Sequence, residues 1–471
     1  MSIFARAIRT WESRPLPPLA LPEISWARAL GLVAAAAMAG LFVAAAIVLW
    51  TDVLKTYEDR SSFQPREGRG DFIAFYVAGE FAAEGRGDEI YDLRTLAARE
   101  NELMPPTDAE SRELPFYNPP FVAAVFALIS LLAYEQALWL WLIINVTALA
   151  ACLALFDRIL GREQPVLRVL FALAAISSIP VYRAVGLGQA SLLVLLLTTL
   201  TYVWLAGGHE RRSGAMAGLL LVKPQYAILP ALHLALARRR EASAALALVA
   251  ATAAVVSLAI AGPEVVVEYP RLILDSAAWR EEKGIYPANW FSWTGFLHGL
   301  SVSSSLASWL GIALGAVGAL AALVVAARST HSPASILASG AALTVAMVLL
   351  SPHVYRQDLV LLLLPAAVLL ALTKGVERAV AAGFLFALWL AAWPPLTVPA
   401  VPEPAWSELS IEELGFNLFV PLIAALLAWL LWLAHREGTR SEDGDQAVDA
   451  ALLSPRAAAY DGRDATKCSD R

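Results

Sequence analysis

Charge is what this sequence has least of. Only 16% of its 471 residues are Asp, Glu, Lys or Arg, against about a quarter in soluble domains. Cysteine is nearly absent too. Cys152 lies inside an apolar run and Cys468 in the polar tail, so no disulfide between them and no zinc-type thiol set is expected. The six histidines are scattered, never paired at ligand spacing. No metal site is therefore expected, although Asp71, Glu80, Asp88 and Asp92 share one loop, which keeps a divalent ion open. Neither a phosphate-binding P-loop nor a dinucleotide fingerprint is present, which argues against an ATP-driven mechanism, a soluble-nucleotide donor or a bound cofactor. Nothing points to nucleic acid as a partner. No internal repeat is visible, and the first apolar run starts too late and is too long for a cleavable signal peptide.

What the chain has instead is apolar residue, 58% of the total, with a mean hydropathy of +0.61. These residues fall in runs over 28–50, 137–156, 189–206, 243–262, 302–327, 333–350, 357–373, 378–394 and 414–434. Such lengths suit a hydrocarbon core of about 30 Å. Trp50, Trp204, Trp393 and Trp432 stand at run ends, where indole rings favour the headgroup level. The expectation is an all-α polytopic membrane protein with about ten to twelve transmembrane helices and membrane lipids as its solvent.

Basic residues mark the cytoplasmic side. A leader over 1–27, with Arg6, Arg9 and Arg14, is placed inside, and the membrane domain then runs over 28–434. Arg158, Arg162 and Arg168, the Arg211–Arg212 pair, the Arg238–Arg240 run, Arg328, Lys374, Arg378 and Arg436 mark further inner connectors. The polar tail over 435–471 is expected to be inside and disordered. Loops 51–117, 263–301 and 395–413, with residues 351–356, share the outer face. Two segments break the alternation. Segment 118–134 starts outside, yet the next helix must end inside at Arg158, so 118–134 is read as dipping in and returning. Segment 214–237 is basic at both ends and interrupted by Lys223-Pro224, which reads as two half-helices meeting at Lys223. Broken backbone at membrane depth is tolerated where it lines a cavity. Ten crossings with two re-entrant pieces are preferred to twelve plain crossings.

Chemistry-bearing residues gather in the outer segments. Residues 72–83 read as an amphipathic, aromatic interfacial helix, with Asp71 at or before its start. Asp71 is read either as a helix N-cap or as a general base at the membrane surface. Lys223 lies deep in an apolar stretch and needs water or an anion beside it. Arg183 precedes the short turn Gly186-Leu187-Gly188-Gln189, and can be an arginine snorkelling to headgroups or a ligand for an anion. Residues 351–358 bring His353, Arg356 and Asp358 to the outer mouth. Tyr76, Tyr117, Gln189, Asn289 and Asp358 are the candidates for substrate contact.

Five stretches, in this order, resemble the polytopic glycosyltransferases of family 87, which have the GT-C fold. They are GDFIAFYVAGEFAAEGRGDEIYD (70–92), YNPPFVAAVFALISLLAYEQALWLWL (117–142), GLGQASLLVLLL (186–197), AGLLLVKPQYAILPALHLALARRR (217–240) and SPHVYRQDLVLLLLP (351–365). The resemblance implies transfer of a hexose, usually mannose, from a polyprenyl-phosphate sugar. The acceptor is a hydroxyl of a lipid-linked or surface glycan outside the cytoplasmic membrane. The family's acidic residue in the first outer loop matches Asp71, which would deprotonate that hydroxyl as the anomeric centre inverts. The sequence departs from the expected aromatic or histidine-rich spacing at Arg356-Gln357, before Asp358. The leaving phosphate needs fixed positive charge, for which Lys223, Arg183, His353 and Arg356 are the candidates. The competing reading is a transporter or lipid flippase for a glycolipid or another anionic substrate.

Overall fold

The computed structural model describes residues 26–58, 70–104, 114–282, 290–300, 304–328, 332–393 and 419–442, and no strand occurs among them. Most of the leader, Asn289, loop 395–413 and most of the tail lie outside the described residues. In chain order the helices are α1 (Trp26–Glu58), α2 (Asp71–Ala83), α3 (Leu93–Leu103), α4 (Pro120–Ile129), α5 (Tyr134–Leu160) and α6 (Pro165–Ile176). There follow α7 (Ile179–Gly186), α8 (Ser191–Ala206), α9 (Glu210–Leu219), α10 (Ile228–Leu236), α11 (Arg240–Ala261) and α12 (Val265–Glu282). The last are α13 (Trp293–Gly299), α14 (Ser304–Arg328), α15 (Pro333–Leu350), α16 (Leu363–Leu372), α17 (Gly375–Ala391) and α18 (Phe419–Glu442).

Among the described residues six helices (α1, α5, α11, α14, α15 and α18) are long and apolar enough to cross a membrane, and α6 with α7, bent by 45°, makes a seventh if taken as one span. The chain is a multi-pass membrane protein. Three expected runs come out slightly short, two of them because their polar starts are not α-helical. The 189–206 run becomes the 16-residue α8, starting only at Ser191. The 357–373 run opens with seven 3-10 residues, Arg356–Leu362, before the ten of α16. The 17-residue α17 accounts for the run at 378–394. At 1.5 Å per α-helical and 2.0 Å per 3-10 residue these measure roughly 24 to 29 Å, still close to the bilayer core.

The two irregular segments behave differently. Helix α4 has ten residues, about 15 Å, half of what a crossing needs. Segment 210–241 leaves one end of the bundle and comes back to it. Arg239 pairs with Glu210 at 3.1 Å and Arg211 with Glu241 at 3.2 Å, tying its two ends together. Between them the chain turns through two 3-10 pieces, Leu220–Val222 and Pro224–Tyr226, that meet at Lys223. Proline supplies no N–H there, and the Val222 carbonyl freed by the break accepts the Asn118 side-chain amide at 2.7 Å.

The centre of the bundle is α15, whose residues from Ala334 to Leu349 are all buried. Its start is fixed by a capping box in which the Ser332 and Ser335 side chains each accept the other residue's backbone N–H. Apolar burial drives helix association weakly in lipid, so close packing must do the work, and small residues allow it. Ala338, Ser339, Gly340, Ala341 and Ala342 supply that surface. Gly340 lies against the Tyr202 ring of α8 with no room for a Cβ atom. The prediction is that Gly340→Val lowers stability by about 1–3 kcal/mol through overpacking. A thermal unfolding midpoint in detergent that does not fall would refute the close contact.

The expected outer segments do meet. The Phe291 N–H donates to the Val354 carbonyl at 2.8 Å, and the Tyr269 hydroxyl to the Tyr117 carbonyl at 3.4 Å. Among the described residues, Phe291 and Val354 thus lie together, as do Tyr117 and Tyr269.

Candidate functional site

Asp71 is the first residue of α2. Gly70, with φ 142°, takes the cap position, and no side chain caps that end. The cap reading of Asp71 is therefore not realised. Its carboxylate instead accepts a hydrogen bond from the Gln189 side-chain amide. The helix dipole favours an anion at this end. The helix itself is more enclosed than the expected interfacial helix: Phe72 through Gly79 and Phe81 are all buried. Phe72, Phe75 and Phe126 form an aromatic wall with Trp141 behind them.

Gln189 is held in place by its turn. The Leu187 carbonyl accepts the Phe72 N–H at 3.3 Å, and the Gly188 carbonyl accepts the Trp141 indole N–H at 2.7 Å. Gly188 has φ +65°, and a Cβ there would stand 2.7 Å from the Phe72 Cβ. Only glycine satisfies both demands. Gly188→Ala is predicted to push Gln189 away from Asp71 and to lower the unfolding midpoint, and an unchanged midpoint would show that the turn has slack.

Lys223 and Asp358 form the second half of the site. The Lys223 ammonium donates to Asp358 Oδ1 at 2.8 Å and to Ser191 Oγ at 3.2 Å, and Ser191 Oγ donates to the same Asp358 oxygen at 2.8 Å. The other carboxylate oxygen accepts the Tyr355 N–H at 3.4 Å. Both charged side chains are largely buried, at 13% and 5% exposure. Sequence reasoning missed Ser191; the only available signal was a hydroxyl at the polar start of an apolar run.

Arg183, on α7, is close enough to act electrostatically on Asp71, and its Nε is buried without a hydrogen-bond partner. Burial is the main influence on Asp71 and pushes its carboxyl up to about 6; the Gln189 hydrogen bond, Lys223 and Arg183 pull it down, and Asp358 pushes it up. Asp71 thus ionises near neutrality, where a general base works best.

The other expected site residues lie further out. The His353 ring meets Trp290 edge-on with centroids 4.5 Å apart, and Arg356 opens the 3-10 stretch that carries Asp358. Tyr117 is half-buried beside Asn118. Tyr76 sits in the core, where its hydroxyl donates to the Leu132 carbonyl at 2.9 Å, so its polar atom is already used. The loop carboxylates do not converge. Glu80 pairs with Arg99 at 2.7 Å, Asp92 caps α3 by accepting the Arg94 N–H at 2.9 Å, and Asp88 is exposed. Among the described residues no three His, Cys, Asp or Glu side chains come together to hold a metal ion.

A family model, glycosyltransferase family 87, matches residues 116–352, just over half of the chain. The chain belongs to that family. Comparison with curated proteins and with solved structures finds no match. As a family 87 member it is a membrane glycosyltransferase, acting on a sugar donor and an acceptor, which decides against the transporter reading. Arg183, Gln189, Ser191 and Lys223 lie within the matched residues, while Asp71 and Asp358 reach them from outside that range through the contacts above.

The sign of the Asp71 effect on stability follows from its direction. A folded-state value raised from 3.8 to about 6 means that the folded protein holds this proton more tightly than the unfolded chain does. The associated stability is full below about pH 4 and lost as pH rises through about 6. Asp71→Asn in this family 87 enzyme should therefore unfold no earlier than wild type at pH 7.5, and its advantage should vanish in acid. A clear loss of stability at pH 7.5 would contradict the burial argument.

Proposed function

We propose that this glycosyltransferase moves a hexose, most simply mannose, from a polyprenyl-phosphate sugar to a hydroxyl of a lipid-linked or surface glycan, inverting the anomeric centre. The reaction is placed at the extracytoplasmic face of the cytoplasmic (inner) membrane. The observation that carries this reading is an ionisable carboxylate, Asp71, within electrostatic reach of a cation, Arg183, whose buried Nε has no hydrogen-bond partner among the described residues. A base for the acceptor and a positive charge for the departing phosphate are the two groups such a displacement needs.

In this mechanism Asp71, ionised above about pH 6, removes the acceptor proton as the hydroxyl oxygen attacks the anomeric carbon. The carbon–oxygen bond to the phosphate breaks on the opposite side, and the polyprenyl phosphate leaves with the electron pair. Gln189 keeps the carboxylate aimed while leaving one oxygen for the acceptor. Arg183 meets the phosphate, with His353 and Arg356 on the neighbouring outer segment as further positive groups. Tyr117, Gln189 and Asn289 are the proposed contacts for the sugars. The basic connectors at the opposite end of the bundle, such as Arg211 and Arg239, support the outward orientation.

Two outcomes are expected with purified protein and radiolabelled polyprenyl-phosphate-mannose. Asp71→Asn should reduce transfer about 10²–10⁴-fold, the usual contribution of a positioned base, with donor binding retained. Wild-type kcat/KM should fall on the acid side with a midpoint near 6. Transfer by Asp71→Asn at the wild-type rate would remove this residue as the base, and an absence of donor binding by wild type would remove the donor class.

A further inference from the structure

We propose that Lys223, Ser191 and Asp358 are positioning residues for Asp71, and that Lys223 is therefore not the ligand of the donor phosphate. The functional consequence rests on the reading of Asp71 as the base.

Three separate pieces of chain meet at this triad: the tip of the 210–241 hairpin, the first residue of α8, and the 3-10 turn after α15. Two of the three ammonium donors of Lys223 are directed at Ser191 and Asp358, and the ion pair is largely closed to solvent. A phosphate reaching Lys223 would find one ammonium proton left to it and would compete with a carboxylate 2.8 Å away, which is buried and depends on this cation. Arg183 carries no such partner, and its buried Nε is unsatisfied. The triad instead pins three things at once. It fixes where the broken hairpin stops, it fixes the N-terminus of α8 two residues after Gln189, and through Gln189 it fixes the carboxylate of Asp71.

The charges facing Asp71 are Arg183 from α7, Lys223 from the hairpin tip and Asp358 from the 3-10 turn, with the neutral Gln189 amide in direct contact. Lys223 favours the ionised carboxylate and Asp358 opposes it. The pair thus presents Asp71 with two opposed influences, that of Lys223 the larger, and removing one member should move Asp71 in the opposite direction from removing the other. A scaffold role without electrostatic consequence predicts no such opposition.

The test uses the full chain in lipid nanodiscs, with Lys223→Met, Asp358→Asn, the double variant and the conservative Lys223→Arg. Two properties are read. One is the protonation of Asp71, followed by infrared pH-difference spectra with Asp71→Asn as the blank; the other is the donor KM with polyprenyl-phosphate-mannose. Lys223→Met should raise the midpoint of Asp71 by about one pH unit and Asp358→Asn should lower it by less. The double variant should lie between wild type and Lys223→Met, and Lys223→Arg close to wild type. Donor KM should stay within about twofold in Lys223→Met while kcat falls. Both single variants should unfold earlier than wild type, with the double variant recovering part of the loss, which keeps the comparison readable if one single variant folds poorly. A tenfold rise in donor KM for Lys223→Met with the Asp71 midpoint unmoved would make Lys223 the phosphate ligand and overturn the proposal. Midpoints displaced in the same direction by both single variants would overturn it as well. If wild type transfers no sugar while the infrared midpoints still move oppositely, the positioning role stands and the glycosyl-donor reading fails.

Discussion

A lysine inside an apolar bundle has to find an anion, and the Lys223–Asp358 ion pair is the constraint around which the rest of this structure is arranged. An unpaired ammonium at this depth is costly, so the hairpin tip that carries Lys223 is driven to the one turn that offers a carboxylate. That turn comes directly after α15, the most enclosed helix of the bundle. Placing Asp358 there requires the C-terminal end of α15 to be well defined, which its close-packed small residues and its capped start provide. Ser191 then ties the start of α8 to the same carboxylate oxygen. From Ser191 it is two residues back to Gln189, and from Gln189 one hydrogen bond to Asp71. The order of an interior charge thus reaches the Asp71 carboxylate through short, directional contacts.

Much of this architecture was legible in the sequence, and the reasons differ by element. Apolar run length follows directly from bilayer thickness, so the multi-pass class was readable from composition and patterning. The break at Lys223-Pro224 was readable because proline removes a backbone donor whatever its surroundings. The positions of Asp71, Arg183 and Gln189 on neighbouring segments followed from the reading of which loops share a face. The pairing itself was not legible. Lys223 and Asp358 are 135 residues apart, and nothing local to either distinguishes a lysine awaiting a phosphate from one already holding a carboxylate. Ser191 looked like an ordinary polar residue at a helix start. The enclosure of α2 was hidden for a related reason: its aromatic residues suit a lipid-facing surface as well as a protein core, and only α4 and α5 packing against it decide between them.

The re-entrant elements show how local sequence and packing combine. Helix α4 is apolar enough for lipid, yet its ten residues cannot reach across. Its role is to cover α2: Gly79 of α2 approaches the Phe126 backbone of α4 so closely that a Cβ there would stand 2.5 Å from it. The residues just before α4 then serve the other irregular segment, because Asn118 satisfies the carbonyl freed at Val222. The break at Lys223 is therefore completed by the residues that lead into α4. That completion is what allows irregular backbone to persist inside an apolar bundle, where an unpaired carbonyl would otherwise face hydrocarbon.

The two carboxylates near this site illustrate how environment divides labour between identical groups. Asp358 has its charge matched by an ammonium, and both of its oxygens are engaged in hydrogen bonds. Asp71 is enclosed as well, but its direct partner is a neutral amide, and its nearest cations act from a distance. Enclosure without a matching charge makes a carboxylate more basic; enclosure with one makes it a fixture. If the roles were exchanged by moving the lysine, basicity would move with the missing partner and not with the residue's place in the chain. On the proposed reading this explains why a base and a buried ion pair stand side by side in one site. The pair fixes the local geometry, its two charges act on the base in opposite directions, and Arg183 is left as the positive charge available to a phosphate.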